Sequence, residues 1–93
     1  MLDIHAIKDK VAPIVKKYNV IGLDVFGSYA EGTATESSDI DFLVLFSAQT
    51  PSIFKVMGFQ DELSDALGLS VDVVTLPLAN PSKIIINKTE KII

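Results

Sequence analysis

Near the start of the chain, apolar residues recur at intervals of three and four, which predicts an amphipathic helix over residues 3–17. Asp3 has the short carboxylate side chain that commonly caps helix starts. Pro13 conflicts with an unbroken helix, because an interior proline removes a hydrogen bond and clashes with the preceding turn. Two interpretations follow: the helix kinks at Pro13, or it begins near Ala12. The apolar positions are Ile4, Ile7, Val11, Ile14 and Val15.

Three segments rich in β-branched and large apolar residues predict strands, at residues 19–26, 39–46 and 70–76. The first of them ends at Gly27 and Ser28, residue types that break regular structure. Beyond its first residues, segment 39–46 is apolar on both of its alternating faces. It is therefore expected to be a central strand that is covered on both sides.

The second half of the chain contains two further helical patterns. Residues 52–67 follow a helical period that ends before Gly68, although Gly58 weakens the pattern by about 1 kcal/mol relative to alanine. Residues 82–93 are expected to form a last helix, and the isoleucines Ile84–Ile86 leave a strand as the alternative. The apolar positions expected to line 52–67 are Ile53, Val56, Met57, Leu63, Ala66 and Leu67.

The order of these elements predicts an α/β fold in one domain, residues 1–93. With 48% hydrophobic residues the chain can build a core, which excludes a disordered tail. The absence of cysteine excludes disulfide scaffolds and thiolate zinc sites. No apolar run is long enough to span a membrane or to act as a secretory signal, so the cytosol is the expected compartment. Eight lysines, no arginine and a net charge of −4 argue against nucleic acid as the main partner.

The polar residues that follow the first strand suggest an anion-binding turn. Gly27 and Ser28 precede a short helical segment, which Ser28 is expected to cap and Gly32 to end. Glycine lets a ligand approach the backbone closely, and backbone amides at a helix start favour a negative charge. Taken alone, a Gly-Ser pair is more often a simple turn.

Carboxylates stand at the entry of segment 39–46. Asp39 and Asp41 share one face, and such side chains repel each other unless a divalent cation such as Mg²⁺ lies between them. Asp72 interrupts a valine-rich strand and would join the pair if the two strands are neighbours. Each of these residues alone is typical of a cap or a strand edge, which is how we interpret Asp24. Together they favour a two-metal site for phosphoryl or nucleotidyl transfer.

The stretch FGSYAEGTATESSDIDFLV resembles the signature of the DNA polymerase β-like nucleotidyltransferase superfamily: Gly27 and Ser28, ten intervening residues, then Asp39 and Asp41. Asp72 lies where that superfamily places its third carboxylate. The short chain and the VDVVTL strand are most similar to the minimal nucleotidyltransferases, the MNT antitoxins that are paired with HEPN-domain toxins. The resemblance extends over nearly the whole chain.

This resemblance implies a nucleotidyltransferase fold, in which helices flank a small mixed β-sheet. It also implies an Mg²⁺-dependent enzyme that transfers AMP from ATP to a tyrosine hydroxyl of a HEPN-type toxin, whose RNase activity is thereby silenced. By the same resemblance, Asp39 and Asp41 would bridge two Mg²⁺ ions. Asp72 would complete the catalytic metal site and help deprotonate the attacking hydroxyl, and Gly27 and Ser28 would hold the β and γ phosphates.

Glu31 departs from the pattern, because many minimal members have arginine there. Facing solvent, Glu31 would be neutral to function; facing the phosphates, it would weaken nucleotide binding and favour a non-catalytic antitoxin that neutralises a HEPN RNase by binding. Transfer to a nucleic acid or a small molecule is a third, weaker possibility. A chain of 93 residues supplies one wall of the reaction cleft, so a second protein or another copy is expected to supply the other. Ile84–Ile86 and Ile92–Ile93 suit either such an interface or core packing.

Overall fold

A computed structural model describes residues 3–35, 37–47, 51–76 and 89–93 of the chain. Its helices and strands confirm the mixed α/β fold and the predicted order of elements as far as the third strand. In chain order they are α1 (Ile4–Lys17), β1 (Val20–Phe26), α2 (Ser28–Glu31), β2 (Ile40–Phe46), α3 (Ile53–Leu67), β3 (Val71–Thr75) and β4 (Thr89–Lys91).

The strands form one mixed sheet in the order β3-β2-β1-β4. β1 pairs antiparallel with both β2 and β4, whereas β2 pairs parallel with β3. One face of the sheet carries the core, because side chains of β1 and β2 cluster there with the buried faces of α1 and α3. We call this the helix-facing side and the opposite one the open side. The fully buried core residues with the largest side chains are Phe42, Phe59, Ile7, Leu23, Ile40 and Leu63.

Helix α1 runs without interruption through Pro13. The Asp3 side chain accepts a hydrogen bond from the amide of Ala6 at 2.7 Å, so the predicted N-cap is confirmed. The alternative start near Ala12 is wrong. Pro13 lies on the exposed side of the helix, where water can satisfy the carbonyl that loses its usual partner.

Helix α3 begins after Ser52, whose hydroxyl accepts from the amide of Lys55 at 3.1 Å, and it ends at Gly68 as predicted. Its buried face is narrower than the sequence pattern predicts. The expected core positions Ile53 and Met57 are wrong, since they are 66% and 54% exposed. The predicted positions Leu63 and Leu67 are buried, and with Phe59, which the pattern did not include, they form a stripe with a spacing of four.

A cluster that we call the α1–α3 junction joins the end of α1 to the middle of α3; it consists of Lys17, Tyr18, Gly58, Phe59 and Glu62. The Tyr18 hydroxyl donates to the Glu62 carboxylate, to which Lys17 also donates two hydrogen bonds of 3.0 Å. The Tyr18 ring packs edge-on against Phe59 with centroids 5.6 Å apart. A Cβ atom at Gly58 would lie 2.9 Å from the Tyr18 hydroxyl, so glycine inside this helix makes room for Tyr18.

The end of the chain differs from the prediction. β4 pairs with β1, so a helix over residues 82–93 is wrong for Thr89–Lys91, and the strand alternative holds there. Ile92 is 2% exposed within the core, which answers the question left open for it in favour of packing. The remainder of that prediction, including Ile84–Ile86, lies outside the described residues.

Strand β2 is central, as predicted, but it is not covered equally on its two faces. On the open side Leu43 is buried, whereas Leu45 is 37% exposed. The prediction that this strand is covered on both sides is therefore wrong at its C-terminal end, because α1 and α3 both pack on the other face. None of the described helices has the length and apolar character needed to cross a membrane.

Candidate functional site

Two of the predicted acidic residues lie side by side on the open side of the sheet. Asp41 of β2 and Asp72 of β3 are register partners in the parallel pair, so their Cα atoms are neighbours across two hydrogen-bonded strands. Asp72 is exposed and Asp41 is half-buried. No intervening chain segment separates the two residues.

The surroundings of Asp41 disfavour the ionised form of its carboxyl group. Its pKa is raised above the usual value, first by burial, then by the charge of Asp72 and a hydrogen bond with it, and finally by the charge of Asp39. All of these effects disfavour the ionised form of Asp41. A cation placed between Asp41 and Asp72 would relieve the repulsion, so the pair has the chemistry of a site for a hard divalent ion.

Asp39 lies just before the first residue of β2 and is solvent-exposed. Its charge acts on Asp41, which places it in the same neighbourhood. Among the residues that the structure describes, however, no three His, Cys, Asp or Glu side chains converge into a group that could hold a metal ion. The structure thus brings Asp41 and Asp72 together and leaves Asp39 beside them.

The turn after β1 lies directly against Asp41. Gly27 has φ of 73°, a left-handed conformation that glycine adopts without strain. A Cβ atom at Gly27 would be 2.5 Å from Oδ2 of Asp41, so only glycine lets the turn approach the carboxylate this closely. The predicted anion-binding turn and the acidic pair are therefore adjacent.

The cap of α2 is displaced by one residue from the prediction. Gly27, not Ser28, is the N-cap, and Ser28 is the first residue of the helix. The amides of Ala30 and Glu31 both donate to the carbonyl of Gly27. The candidate phosphate donors at this turn are consequently the Ser28 hydroxyl and the amides of Ser28 and Tyr29. Gly32 ends the helix in a left-handed conformation, as predicted.

Two residues of α2 bear on the alternatives raised by the sequence. Glu31 is exposed, which agrees with a side chain that faces solvent. Tyr29 packs against the core, so packing is at least part of its role. Its hydroxyl is buried and has no hydrogen-bond partner in the described part of the chain.

The interpretation of Asp24 as a strand-edge residue is wrong. β1 is an interior strand, and Asp24 lies there between its register partners Leu43 of β2 and Lys91 of β4. Sequence reasoning missed Lys91 altogether, because residues 82–93 were expected to be helical. The only signal for it is a strand of three residues, Thr89–Lys91, which is too short to show an alternating pattern.

Beyond the acidic pair, the open side of the sheet forms a shallow groove, which we call the sheet groove. It has a volume of about 280 Å³. Five apolar residues line it, together with Gly22, Asp24 and Lys91. The apolar residues are Ile21, Leu43, Leu45, Leu76 and Ile93.

Comparison with known proteins agrees with this geometry. A family model described as a nucleotidyltransferase domain matches residues 8–93. A protein of Methanocaldococcus jannaschii, named as a candidate protein adenylyltransferase, is 47% identical over an alignment of 78 positions. That match covers 80% of this chain and 79% of that protein.

Two solved structures share the fold. One is a chain of a toxin–antitoxin complex with AMP-PNP, with a TM-score of 0.78 and 24% identity over 92% of this chain and 72% of that chain. The other belongs to a complex of the tri-AMPylated Shewanella oneidensis HEPN toxin with MNT antitoxin, with a TM-score of 0.73 and 21% identity. That match covers 97% of this chain and 71% of the other. At such identities the likeness is one of fold.

Proposed function

This chain belongs to the nucleotidyltransferase domain family, and from that membership we propose that it transfers AMP from ATP to a hydroxyl group of a partner protein. The observation that carries the proposal is the pairing of Asp41 with Asp72 across β2 and β3, with Gly27 packed against Asp41. The M. jannaschii relative supports the choice of a protein as acceptor, because its name describes it as a candidate protein adenylyltransferase.

In the proposed reaction, the acceptor hydroxyl oxygen forms a bond to the α-phosphorus of ATP. The bond from that phosphorus to the oxygen bridging the α and β phosphates breaks, and pyrophosphate leaves. The hydroxyl proton passes to the carboxylate of Asp72, from which water removes it. Catalysis of this kind depends mainly on positioning and on stabilising the charge of the transferring group.

Asp41 and Asp72 would hold Mg²⁺, and the raised pKa of Asp41 fits that assignment because a bound cation would stabilise its ionised form. When bound, Mg²⁺ would neutralise the charge on the phosphates. Holding two ions would require Asp39 to turn toward the pair. Because Asp39 is exposed, such a rotation is sterically inexpensive.

Gly27 and Ser28 would hold the β and γ phosphates. The Ser28 hydroxyl and the amides at the start of α2 are donors, and Gly27 keeps the backbone close to Asp41. This arrangement would place the phosphates and the cation on neighbouring sides of the same carboxylate.

For the acceptor we propose a HEPN-type toxin in the cytosol, so that this chain would act as an antitoxin which silences its partner by AMP transfer. The proposal draws on the fold match to a chain from a complex that holds an AMPylated HEPN toxin. It also agrees with a candidate site that lies on an open sheet face, where a partner can complete the cleft.

The test is incubation of the chain with ATP radiolabelled in its α-phosphate, Mg²⁺ and a HEPN-domain protein from the same organism. Label should appear on the HEPN protein. The Asp41→Asn variant should label it at a rate at least about a hundredfold lower than wild type does. Asp65→Asn, the same chemical change at an exposed position of α3, should label at the wild-type rate. Undiminished transfer by Asp41→Asn would reject the assignment of the acidic pair.

The alternative is an antitoxin that neutralises a HEPN RNase by contact alone. The observation in its favour is that the described residues hold no preassembled group of three acidic side chains. It predicts RNase inhibition that needs no ATP and survives the double substitution Asp39→Asn/Asp41→Asn. Loss of inhibition in that double variant would reject it.

A further inference from the structure

Asp39 lies at the end of the loop that links α2 to β2, and the chain is fixed on both sides of it. On one side, Ile40 is fully buried, and its amide donates to the carbonyl of Ser70 at 3.0 Å. On the other side, Ser38 is half-buried and is bonded to Thr35. The main chain is therefore held before and after Asp39, while the Asp39 side chain is exposed to solvent.

Thr35 and Ser38 are joined through both their main chains and their side chains. The Ser38 hydroxyl accepts from the amide of Thr35 at 2.8 Å, and the Ser38 amide donates to the carbonyl of Thr35 at 3.1 Å. The hydroxyl oxygens of the two residues are 3.2 Å apart, which is within hydrogen-bond distance. We call this arrangement the Thr35–Ser38 turn. Alanine at position 38 would keep the bond between the two main chains and remove both contacts of the Ser38 hydroxyl.

The Thr35–Ser38 turn bears on the metal site because Asp39 has to reach the acidic pair. Among the described residues, its side chain does not join Asp41 and Asp72 in a group that could hold a metal ion. Ordering the main chain of one residue changes an equilibrium constant by roughly tenfold. Because the turn is already closed, the binding of an ion has to order only the side chain of Asp39.

We propose that Ser38 is a positioning residue for the divalent cation: its hydroxyl closes the Thr35–Ser38 turn and so holds Asp39 where rotation of the side chain alone brings the carboxylate to the acidic pair. This inference rests on the proposed function, because it takes the acidic pair as the holder of Mg²⁺. The Ser38 hydroxyl is engaged by Thr35, so Ser38 acts on the ion through Asp39 and not as a ligand.

The experiment measures binding of Mn²⁺ alone by electron paramagnetic resonance, since Mn²⁺ takes the same oxygen ligands as Mg²⁺. Ser38→Ala should raise the dissociation constant for Mn²⁺ at least about fivefold, because ion binding must then also order the main chain before Asp39. Ser37→Ala is the matched control. It removes the neighbouring hydroxyl, which lies 3.2 Å from the Thr35 hydroxyl, and leaves the bonds between Thr35 and Ser38 in place. The dissociation constant of this control should stay within about twofold of wild type.

A double-mutant cycle shows whether Ser38 acts through Asp39. Asp39→Asn alone should weaken Mn²⁺ binding at least about tenfold, because it removes a charged oxygen ligand. In that background, Ser38→Ala should change the dissociation constant by less than about twofold. Thermal unfolding without metal checks that every variant is folded at the temperature of the titration.

Three results would overturn the inference. The first is Mn²⁺ binding by Ser38→Ala that is as tight as that of wild type, or tighter. The second is an effect of Ser38→Ala that persists undiminished in the Asp39→Asn background. The third is wild-type Mn²⁺ affinity in Asp39→Asn itself, since Ser38 would then have no ligand to position.

The inference and the proposed function fail in distinguishable ways. If wild type never labels a HEPN-domain protein, but Ser38→Ala weakens Mn²⁺ binding as expected, adenylylation is rejected and the role of Ser38 stands. If wild type labels the protein and Ser38→Ala binds Mn²⁺ equally well, only the role of Ser38 is rejected. If wild type takes up no Mn²⁺, the metal assignment and the role of Ser38 are both rejected.

Discussion

Gly27 and Asp41 show how one backbone conformation shapes the candidate site. The left-handed turn brings the main chain so close to the carboxylate that no side chain fits at position 27. The pKa of the Asp41 carboxyl is itself raised mainly by burial. A single glycine thus determines how closely the turn approaches the acidic pair.

The matched glycines 27 and 32 provide a test of this contact. Both have positive φ, but a Cβ atom at Gly32 would meet nothing within 4 Å. Gly32→Ala should lower the free energy of unfolding by about 1–2 kcal/mol, because alanine is strained in the left-handed conformation. Gly27→Ala should lower it by more, because its Cβ atom would also lie 2.5 Å from Oδ2 of Asp41. Only Gly27→Ala should also reduce transfer, by about a hundredfold, since Asp41 must move. Thermal unfolding and labelling rates measure the two effects, and equal activity in both variants would contradict the argument.

At the scale of residues, the types of residue in the candidate site were easier to predict from the sequence than their places in the fold. The motif indicated Gly27, Ser28 and the three aspartates, and the structure pairs Asp41 with Asp72. It could not show that Gly27 rather than Ser28 caps α2, because both types are good caps. It could not show Lys91 either, since that residue reaches the open face only through pairing with a distant strand.

At the scale of elements, the α1–α3 junction joins the two long helices through Glu62. The pKa of Glu62 is lowered by the hydrogen bond from Tyr18, then by that from Lys17. The same contacts raise the pKa of Lys17 and of Tyr18. The ionised form of Glu62 is therefore favoured in the folded state, which makes the junction sensitive to pH.

From the α1–α3 junction we predict how the free energy of unfolding changes as the pH falls. Because the folded-state pKa of Glu62 lies below its usual value of 4.5, its contribution is present above that pH and is lost as the pH falls through the lower value. Glu62→Gln should therefore be less stable than wild type at pH 7, and the difference should shrink in acid. Glu31→Gln, the same chemical change at an exposed position of α2, should be about as stable as wild type at pH 7. Urea unfolding at several pH values measures this, and a pH-independent difference would contradict it.

Whether alanine at position 58 stabilises or destabilises the protein should depend on the residue at position 18. Alanine normally stabilises a helix interior by about 1 kcal/mol relative to glycine. Here its Cβ atom would crowd the Tyr18 hydroxyl, so Gly58→Ala should destabilise the protein by about 1 kcal/mol. In a Tyr18→Phe background the crowding disappears, and the same substitution should become stabilising. Chemical denaturation of the four proteins of this cycle measures the change of sign, and additive effects would contradict it.

Among the elements, those with long hydrophobic periods were predictable and the others were not. α1, α3 and the first three strands follow their patterns, since burial of one face fixes each of them. The strand Thr89–Lys91 could not be predicted in this way, because the isoleucines on either side of it suit a helix or a strand equally well. The exposure of Ile53 was also unpredictable, because a local period cannot tell which apolar residues extend beyond the core.

At the scale of the whole molecule, the two faces of the sheet differ in what covers them. α1 and α3 both cover one face and provide the core, which leaves the acidic pair and the sheet groove on the other. The mixed sheet flanked by helices was predictable from the motif and the order of elements. The uneven coverage of β2 was not, because the sequence does not state on which face each helix packs.

The last residues of the chain connect the edge strand to the core. Ile92 is buried, while its neighbour Ile93 is 37% exposed. Ile92→Ala should therefore lower the free energy of unfolding by about 2–5 kcal/mol, and Ile93→Ala by less than about 1 kcal/mol. Chemical denaturation measures both, and similar small losses would show that β4 contributes little to the stability of the sheet.

The parallel pairing of β2 with β3 has a consequence for how misfolding and inactivity are related. If β3 slipped by one residue, every side chain in it would turn to the opposite face, so a valine would stand beside Asp41 and the carboxylate of Asp72 would point into the core. Such a molecule would lack the acidic pair and would also be unstable, because an unpaired buried charge is costly. Any requirement for a stable sheet is therefore also a requirement that Asp41 and Asp72 lie side by side.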